Sequence, residues 1–496
     1  MRRFAQGCAS PGDAFIEGLQ PGGGLEREKG GGIAELRERI REVTLRIVEL
    51  MAEREKLVRE VAALKSGSGE GIVNPEVERE LRKAVVSRAA ELGLDVETVM
   101  RVLTLLLRRS TEIQAKGQGP QGMTHMDLMR LAKRMEREGR EVVHMEVGEP
   151  TLGAPEHIAA QLTDAALKGY AFYGEAHGLP ELRSAIAEDL NERFGVDVKP
   201  EQVVVTQGGR FGIYLAMAAT LSMGDEALVI DPSWPHYKQV ISMLGCRAVV
   251  HSTSLEGRWL PDPAKLEDLT SDSTRLMVLN YPNNPTGAVV GRQLLQELVE
   301  VARRRNLYVI SDEVYMDYSF GEHVTALSAG YERVIMIMSF SKSWGMTGYR
   351  VAYAVAPVEV AERMAKLQGS LLTCVPEFVQ VAALRALSDR ETPRAYRDHM
   401  LRGIEVICRY LDAIGAEYVR PGGGMYVFPR IPLGGRDPME FALDLLRKRG
   451  VAVAPGTVFG DYREFFRLSV GDSLEKLERG MAALAEEVNS LRNPRG

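Results

Sequence analysis

Cysteine is scarce in this 496-residue chain. Cys8, Cys246, Cys374 and Cys408 stand far apart, without the spacing of a metal knot or a disulfide framework. That excludes a stapled secreted scaffold and fits a reducing, cytosolic compartment. Long apolar runs are also missing, and none approaches the length of a membrane span. Basic residues are not in excess. Lys and Arg number 62 against 68 Asp and Glu, a formal net charge of -6, which argues against a general nucleic-acid binder. Arg2-Arg3 has no apolar segment behind it and is not read as a targeting signal. What remains is a composition ordinary for soluble globular protein, in a chain too long for one core, so two or three domains are expected.

Residues 1–32 are rich in glycine and proline and read as a disordered tail, of the kind an over-long gene start produces. From Ile33 to Lys65 the pattern is helical. Leu36, Ile40, Val43, Ile47, Leu50, Leu57, Val61 and Leu64 alternate at three and four residues, the seam of a long helix packed against other helices. Arg54 breaks that seam, and a guanidinium there needs an anion. Lys65 follows eleven residues later, about 16 Å along the axis and only about 20° round it, so the two cations bracket one face. Glycines at 67–71 end this helix, and Asn74-Pro75 opens a second that ends near Gly93. A third runs from about Val96 to Lys116. Glu78, Ser110 and Gln114 fall on or beside the apolar stripes of the last two. One polar residue on a seam is ordinary in a bundle. Five hydrogen-bonding side chains point to a polar pocket.

On these residues the segment 33–116 resembles the all-helical (type II) chorismate mutases, without a gap from Leu36-Arg37 through Ala52-Glu53-Arg54 and Lys65 to Ser110-Thr111-Glu112-Ile113-Gln114. The resemblance implies that Arg54, Lys65 and Arg37, the last reaching in from a partner subunit, hold the carboxylates of chorismate. It further implies that Lys65 and Gln114 bond the ether oxygen that breaks, that Glu78 meets the ring hydroxyl, and that Ser110 lines the substrate. The rearrangement is pericyclic, so restriction and electrostatic stabilisation carry it and no nucleophile is needed. The sequence departs from the family at two places: Val77 stands where an arginine is usual, and Asn74 where an aspartate is frequent.

After a glycine-rich linker at 117–125 the character changes. Short β-branched runs at 203–206, 227–230, 276–279, 307–310 and 334–338 alternate with helical segments, predicting a mainly parallel α/β sheet with its site at the strand carboxyl ends. Four strand ends carry unusual residues: Gly208-Gly209-Arg210, the turn through Asn283-Asn284-Pro285, Ser311-Asp312-Glu313-Val314-Tyr315, and Ser339-Phe340-Ser341-Lys342-Ser343 with Arg350 behind it. Read alone, each is a turn, a capping aspartate, a core tyrosine or a surface lysine. Read together, they place an amine able to condense with a carbonyl beside an anion site and a buried acid.

In this order these residues resemble the class I/II, fold-type I aminotransferases, across the whole of 126–496. The resemblance implies an α/β PLP-transferase fold, a large mainly parallel-sheet domain plus a smaller α/β domain, and pyridoxal 5'-phosphate as cofactor. Lys342 would form the Schiff base and shuttle the proton, Asp312 would hold the pyridine nitrogen, and Tyr315 and Asn284 would bond the ring 3-oxygen. Trp234 would stack on the ring. Gly208, Gly209, the Arg210 backbone, Ser339, Ser341 and Arg350 would take the phosphate, joined by Tyr173 from a neighbouring subunit. Arg467 would grip the substrate α-carboxylate, with Gly148 lining the substrate. In some members with acidic substrates a lysine stands at the position of Arg210, so this arginine either meets a side-chain carboxylate or lies on the helix surface.

The sequence thus predicts a multidomain enzyme of aromatic amino-acid biosynthesis: tail 1–32, all-α three-helix mutase-like domain 33–116, linker 117–125, aminotransferase domain 126–496. Its partners are small molecules (chorismate, a keto acid, an amino-acid donor), with neither nucleic acid nor membrane nor metal, in a cytoplasmic homodimer or larger homo-oligomer. The keto acid would be prephenate, phenylpyruvate or 4-hydroxyphenylpyruvate. The competing reading is a general aspartate-type aminotransferase with a helical sensor or dimerisation module.

Overall fold

The computed structural model describes residues 27–65, 75–116 and 125–492. Most of the expected tail, the glycine break at 67–71, Asn74 and the linker up to residue 124 lie outside the described residues.

Three helices come first: α1 (Arg27–Lys65), α2 (Pro75–Glu91) and α3 (Val96–Lys116). The expected start of α1 at Ile33 is six residues late, because the helix runs through Gly30, Gly31 and Gly32 despite the roughly 1 kcal/mol that a helical glycine costs. The expected burial of its seam is not met within one chain. Leu36, Ile40, Val43, Ile47, Leu50, Leu57 and Leu64 are each more than half exposed. The periodicity was a true signal of a helix, but it says nothing about which chain covers the seam.

The chain divides into two compact units that cut across the expected boundary. One holds α1 and the end of α3 from Arg109 onward. The other holds residues 76–108 together with everything from 120 on. Charge explains the second grouping. Glu226 is a buried carboxylate, and it takes Arg247 at 2.6 Å and Arg82 of α2 at 3.8 Å. Arg247 in turn donates to Glu78 of α2 at 3.1 Å.

The large sheet has seven strands: β1 (Val203–Thr206), β2 (Glu226–Asp231), β3 (Arg247–Ser252), β4 (Thr274–Asn280), β5 (Tyr308–Asp312), β6 (Val334–Ser339) and β7 (Ala352–Val355), in spatial order β1-β7-β6-β5-β4-β2-β3. Five of these were legible as apolar runs. The antiparallel pairings are the two made by β7, with β1 on one side and β6 on the other. Both faces are covered, as a mainly parallel sheet requires. Val204, Val229, Leu276, Ile310 and Ile337 face one helical layer, which includes α4 (Gly209–Thr220). Alternate residues such as Val205, Met336 and Met338, or Leu228, Met277 and Val309, face helices on the other side.

A smaller body packs helices Glu391–Ala413, Pro438–Arg449 and Leu474–Arg492 on short strands at Tyr426–Val427, Ala454–Pro455 and Phe466–Ser469. Among the described residues no helix is long and apolar enough to cross a membrane.

Candidate active sites

Strand register assembles the larger site. Asn280 pairs with Asp312, and Asp312 with Ile337, so β4, β5 and β6 end side by side. The Asn280 amide donates to the Asp312 carbonyl at 2.9 Å, and its oxygen accepts the Asn284 N–H at 2.9 Å. That double hold is what turns the loop after β4 and fixes Asn284 in a buried position. Asp312 is itself buried, and burial lifts its carboxyl to about 6 although the Tyr237 hydroxyl donates to it.

Lys342 follows β6 in the short helical turn Phe340–Ser343. Its ammonium donates to the Gly148 carbonyl, while the Tyr318 hydroxyl fixes its own carbonyl at 2.6 Å. Burial pushes the amine down to about 8. Glu149 opposes that fall; the guanidinium charges of Arg467 and Arg350 reinforce it. An amine near 8 is a nucleophile within reach of neutral pH.

The anion cradle lies at the start of α4. Gly208 has φ +79°, and a Cβ there would overlap the Arg350 guanidinium, so only glycine lets the two meet. Ser339 Oγ donates to Ser341 Oγ at 2.9 Å and accepts the Ser341 N–H at 3.2 Å. Burial, then repulsion from Arg350, lowers the Arg210 guanidinium from its usual value. Two cations brought close at a helix N-terminus suit a phosphate ester. Trp234 offers a half-buried indole edge-on to Tyr237 at 5.6 Å, with Arg210 5.0 Å over its face.

Arg467 is buried on the strand Phe466–Ser469. One terminal nitrogen donates to Asn284 Oδ1 at 3.0 Å and the other to the Glu146 carbonyl, while Nε has no hydrogen-bond partner among the described residues. Its guanidinium lies 4.6 Å from the Tyr426 ring and 4.9 Å from that of Phe459. A buried guanidinium with a spare donor is prepared for a carboxylate. Tyr315 meets Tyr426 hydroxyl to hydroxyl at 2.7 Å. The buried amine, raised carboxyl, indole face and cationic glycine cradle together fit a phosphorylated aromatic aldehyde such as pyridoxal phosphate.

Tyr237, Tyr426 and Glu146 were missed by the sequence reading. Tyr237 stands three residues after Trp234, one helical turn on. Tyr426 follows Gly422-Gly423-Gly424-Met425, a glycine run that signals close approach of backbone. Tyr173, by contrast, makes no place in this site within one chain and is 87% exposed.

In the first unit, Arg54 donates to Ser110 Oγ at 2.7 Å, which joins two expected residues across α1 and α3. Beside them Glu55 accepts from Arg109 at 2.8 Å and from Arg59 at 2.9 Å. Gln114 has a buried Oε1 without a hydrogen-bond partner among the described residues. Lys65 is part-buried and Arg37 exposed. Glu78 belongs to the second unit and departs from expectation. Its carboxylate pairs with Arg247, because that guanidinium is drawn to the start of β2 by buried Glu226. Val77 is exposed.

Comparison with known proteins agrees with both halves. Residues 140–484 match the family Aminotransferase class I and II, and residues 36–115 match Chorismate mutase type II. An aspartate aminotransferase from Pyrococcus horikoshii is 34% identical over 72% of this chain and 92% of its own length. An aspartate/prephenate aminotransferase from Thermus thermophilus is 33% identical over 71% and 93%. The crystal structure of an aspartate aminotransferase from Thermotoga maritima superposes with a TM-score of 0.71 at 32% identity, over 74% of this chain and 98% of that one. The chain is therefore a member of the class I and II aminotransferases, dependent on pyridoxal phosphate, with a chorismate mutase type II domain in front of it.

Proposed function

We propose that this chain is a bifunctional enzyme of aromatic amino-acid biosynthesis. Residues 33–116 rearrange chorismate to prephenate, and residues 126–496 transfer an amino group to an aromatic-pathway keto acid: prephenate, phenylpyruvate or 4-hydroxyphenylpyruvate. The observation that carries this reading is the joining of a mutase match to an aminotransferase whose 33%-identical relative is named for aspartate and prephenate.

Pyridoxal phosphate, when bound, supplies an aldehyde and an electron-withdrawing ring. The chain does the rest. Lys342 Nζ holds the cofactor and moves the proton at the substrate Cα, a task suited to an amine near 8. Asp312 would hold the ring nitrogen, Tyr315 and Asn284 would bond the ring 3-oxygen, and Trp234 would stack on the ring. Gly208, Gly209, the Arg210 backbone, Ser339, Ser341 and Arg350 hold the phosphate. Arg467 grips the α-carboxylate through its guanidinium, whose Nε is the spare donor, with Gly148 lining the substrate. The Arg210 side chain, exposed and stacked on Trp234, either meets the second carboxylate of an acidic donor or of prephenate or stays on the helix surface. In the mutase, Arg54, Lys65 and Arg37 hold the substrate carboxylates beside Ser110, while Lys65 and Gln114 favour charge on the departing ether oxygen; Glu78, paired with Arg247 in the second unit, is given no part in it.

A cytoplasmic homodimer is part of the proposal. The exposed seam of α1, exposed Arg37 and exposed Tyr173 support it, since each lacks a use within one chain. The ion pair between Glu78 and Arg247 favours the second reading, an aspartate-type aminotransferase whose helical module senses or dimerises.

Purified protein given chorismate plus glutamate or aspartate separates the two. Prephenate, followed by arogenate or aromatic amino acid, is expected. Arg54→Ala should remove only the first step and Lys342→Ala only the second. Absence of prephenate with intact transamination overturns the mutase reading, and loss of both steps in either folded variant overturns the division of labour.

A further inference from the structure

Tyr426 is buried where four functional groups meet. Its hydroxyl lies 2.7 Å from that of Tyr315, with the rings edge to face at 5.6 Å. Its ring carries the Arg467 guanidinium 4.6 Å away. The hydroxyl also occupies the space where a Cβ at Gly148 would stand, and the Gly148 carbonyl holds Lys342. The strand Tyr426–Val427 pairs with the strand bearing Arg467, so the ring position is set by sheet register rather than by a loop.

Between two hydroxyls only one proton lies in the hydrogen bond, and the accepting group is left with a proton to place elsewhere. Around Tyr426 stand the Arg467 guanidinium, over its ring, and Gly148, whose carbonyl is already taken by Lys342. Tyr315 has a use for its proton under the function proposed above, on which this inference rests: the ring 3-oxygen of the cofactor. We propose that Tyr426 is a positioning residue that donates its hydroxyl proton to Tyr315, so that Tyr315 in turn donates to the 3-oxygen of pyridoxal phosphate. Hydrogen bonds in such a chain polarise one another in a low-dielectric interior, and the outer hydroxyl makes the inner one the stronger donor. A better-stabilised 3-oxygen anion lowers the proton affinity of the neighbouring nitrogen that joins Lys342 to the cofactor. The Tyr426 hydroxyl thereby tunes the pH at which Lys342 is linked in its unprotonated form.

The test uses the cofactor-loaded full chain and Tyr426→Phe, which keeps the ring under Arg467 and removes one oxygen. The pH midpoint of the visible absorption change of the bound cofactor is expected to rise by roughly half to one unit. Affinity for maleate, a non-reacting dicarboxylate, should stay within about twofold, because the ring is retained. A purely structural role would lower the melting temperature and leave the midpoint where it was, and that result overturns the proposal. Tyr315→Phe keeps the outcomes apart. If it moves the midpoint and Tyr426→Phe does not, only the relay falls; if neither does, the role given to Tyr315 falls with it. In the double variant, Tyr426→Phe should add nothing, and a further shift would also refute the chain.

Discussion

Replacing Lys342 by methionine should abolish transamination in the cofactor-loaded protein and make the cofactor-free protein more stable. The buried ammonium titrates at about 8 instead of 10.5. At about 1.36 kcal/mol per unit of pKa, that difference opposes folding by about 3 kcal/mol near neutral pH. Methionine has similar length and no charge, and it forfeits the hydrogen bond to Gly148, worth about 1 kcal/mol. The net gain is about 2 kcal/mol. With an unfolding entropy of about 2.1 cal/mol/K per residue over roughly 370 residues, the melting temperature rises by about 3 °C. The sign of the pH dependence follows from the folded value lying below the unfolded one. The unfolded chain holds the extra proton between about 8 and 10.5, so wild-type stability recovers as pH climbs through that window. Melting curves of cofactor-stripped wild type and Lys342→Met, at about pH 7 and about pH 10 and constant ionic strength, provide the assay. The gap should be largest at the lower pH and nearly closed at the higher. A variant less stable than wild type at neutral pH, or a gap independent of pH, refutes the reasoning.

Arg467→Lys replaces a fork that reaches Asn284 and Glu146 with a point charge, so KM for amino donors should rise ten- to hundredfold with the fold intact; a change under threefold contradicts the role given to this arginine. Gly148→Ala puts a methyl group into the Tyr426 hydroxyl, and transamination kcat/KM should fall at least tenfold while chorismate turnover is untouched. Adding Tyr426→Phe relieves that overlap and should restore part of the loss; no recovery would locate the damage elsewhere.

Much of the larger site is written in short local patterns. The glycine pair at 208–209, the asparagine turn after β4 and the Ser-Lys-Ser after β6 are each set by neighbouring residues, and the alternation of strand and helix orders them in space. Tyr237 and Tyr426 left weaker marks. Their partners, Asp312 and Tyr315, are 75 and 111 residues away in the chain. Strand β7 was hidden because Ala352-Tyr353-Ala354-Val355 is short and carries little β-branching. In the helical region the three–four spacing located α1 but could not say what covers its seam. Arg247 was silent as well, since a pairing between residues 78 and 247 leaves no trace in local sequence.

Glu226 gives that last contact a wider meaning. Burial works against its charge, yet Arg247, Ser271 and Arg82 together hold the carboxyl below its ordinary value, and the Thr274 hydroxyl also donates to it. Two of the side chains in this knot, Glu78 and Arg82, come from the stretch that matches the mutase family; the others come from the aminotransferase. The glycine-rich linker at 117–125 is thus a poor place to cut. An aminotransferase begun after it would leave Glu226 with one cation fewer and the starts of β2 and β3 stripped of their cover. The ancestry of this chain reads as two modules, but its electrostatics have already grafted part of the first onto the second.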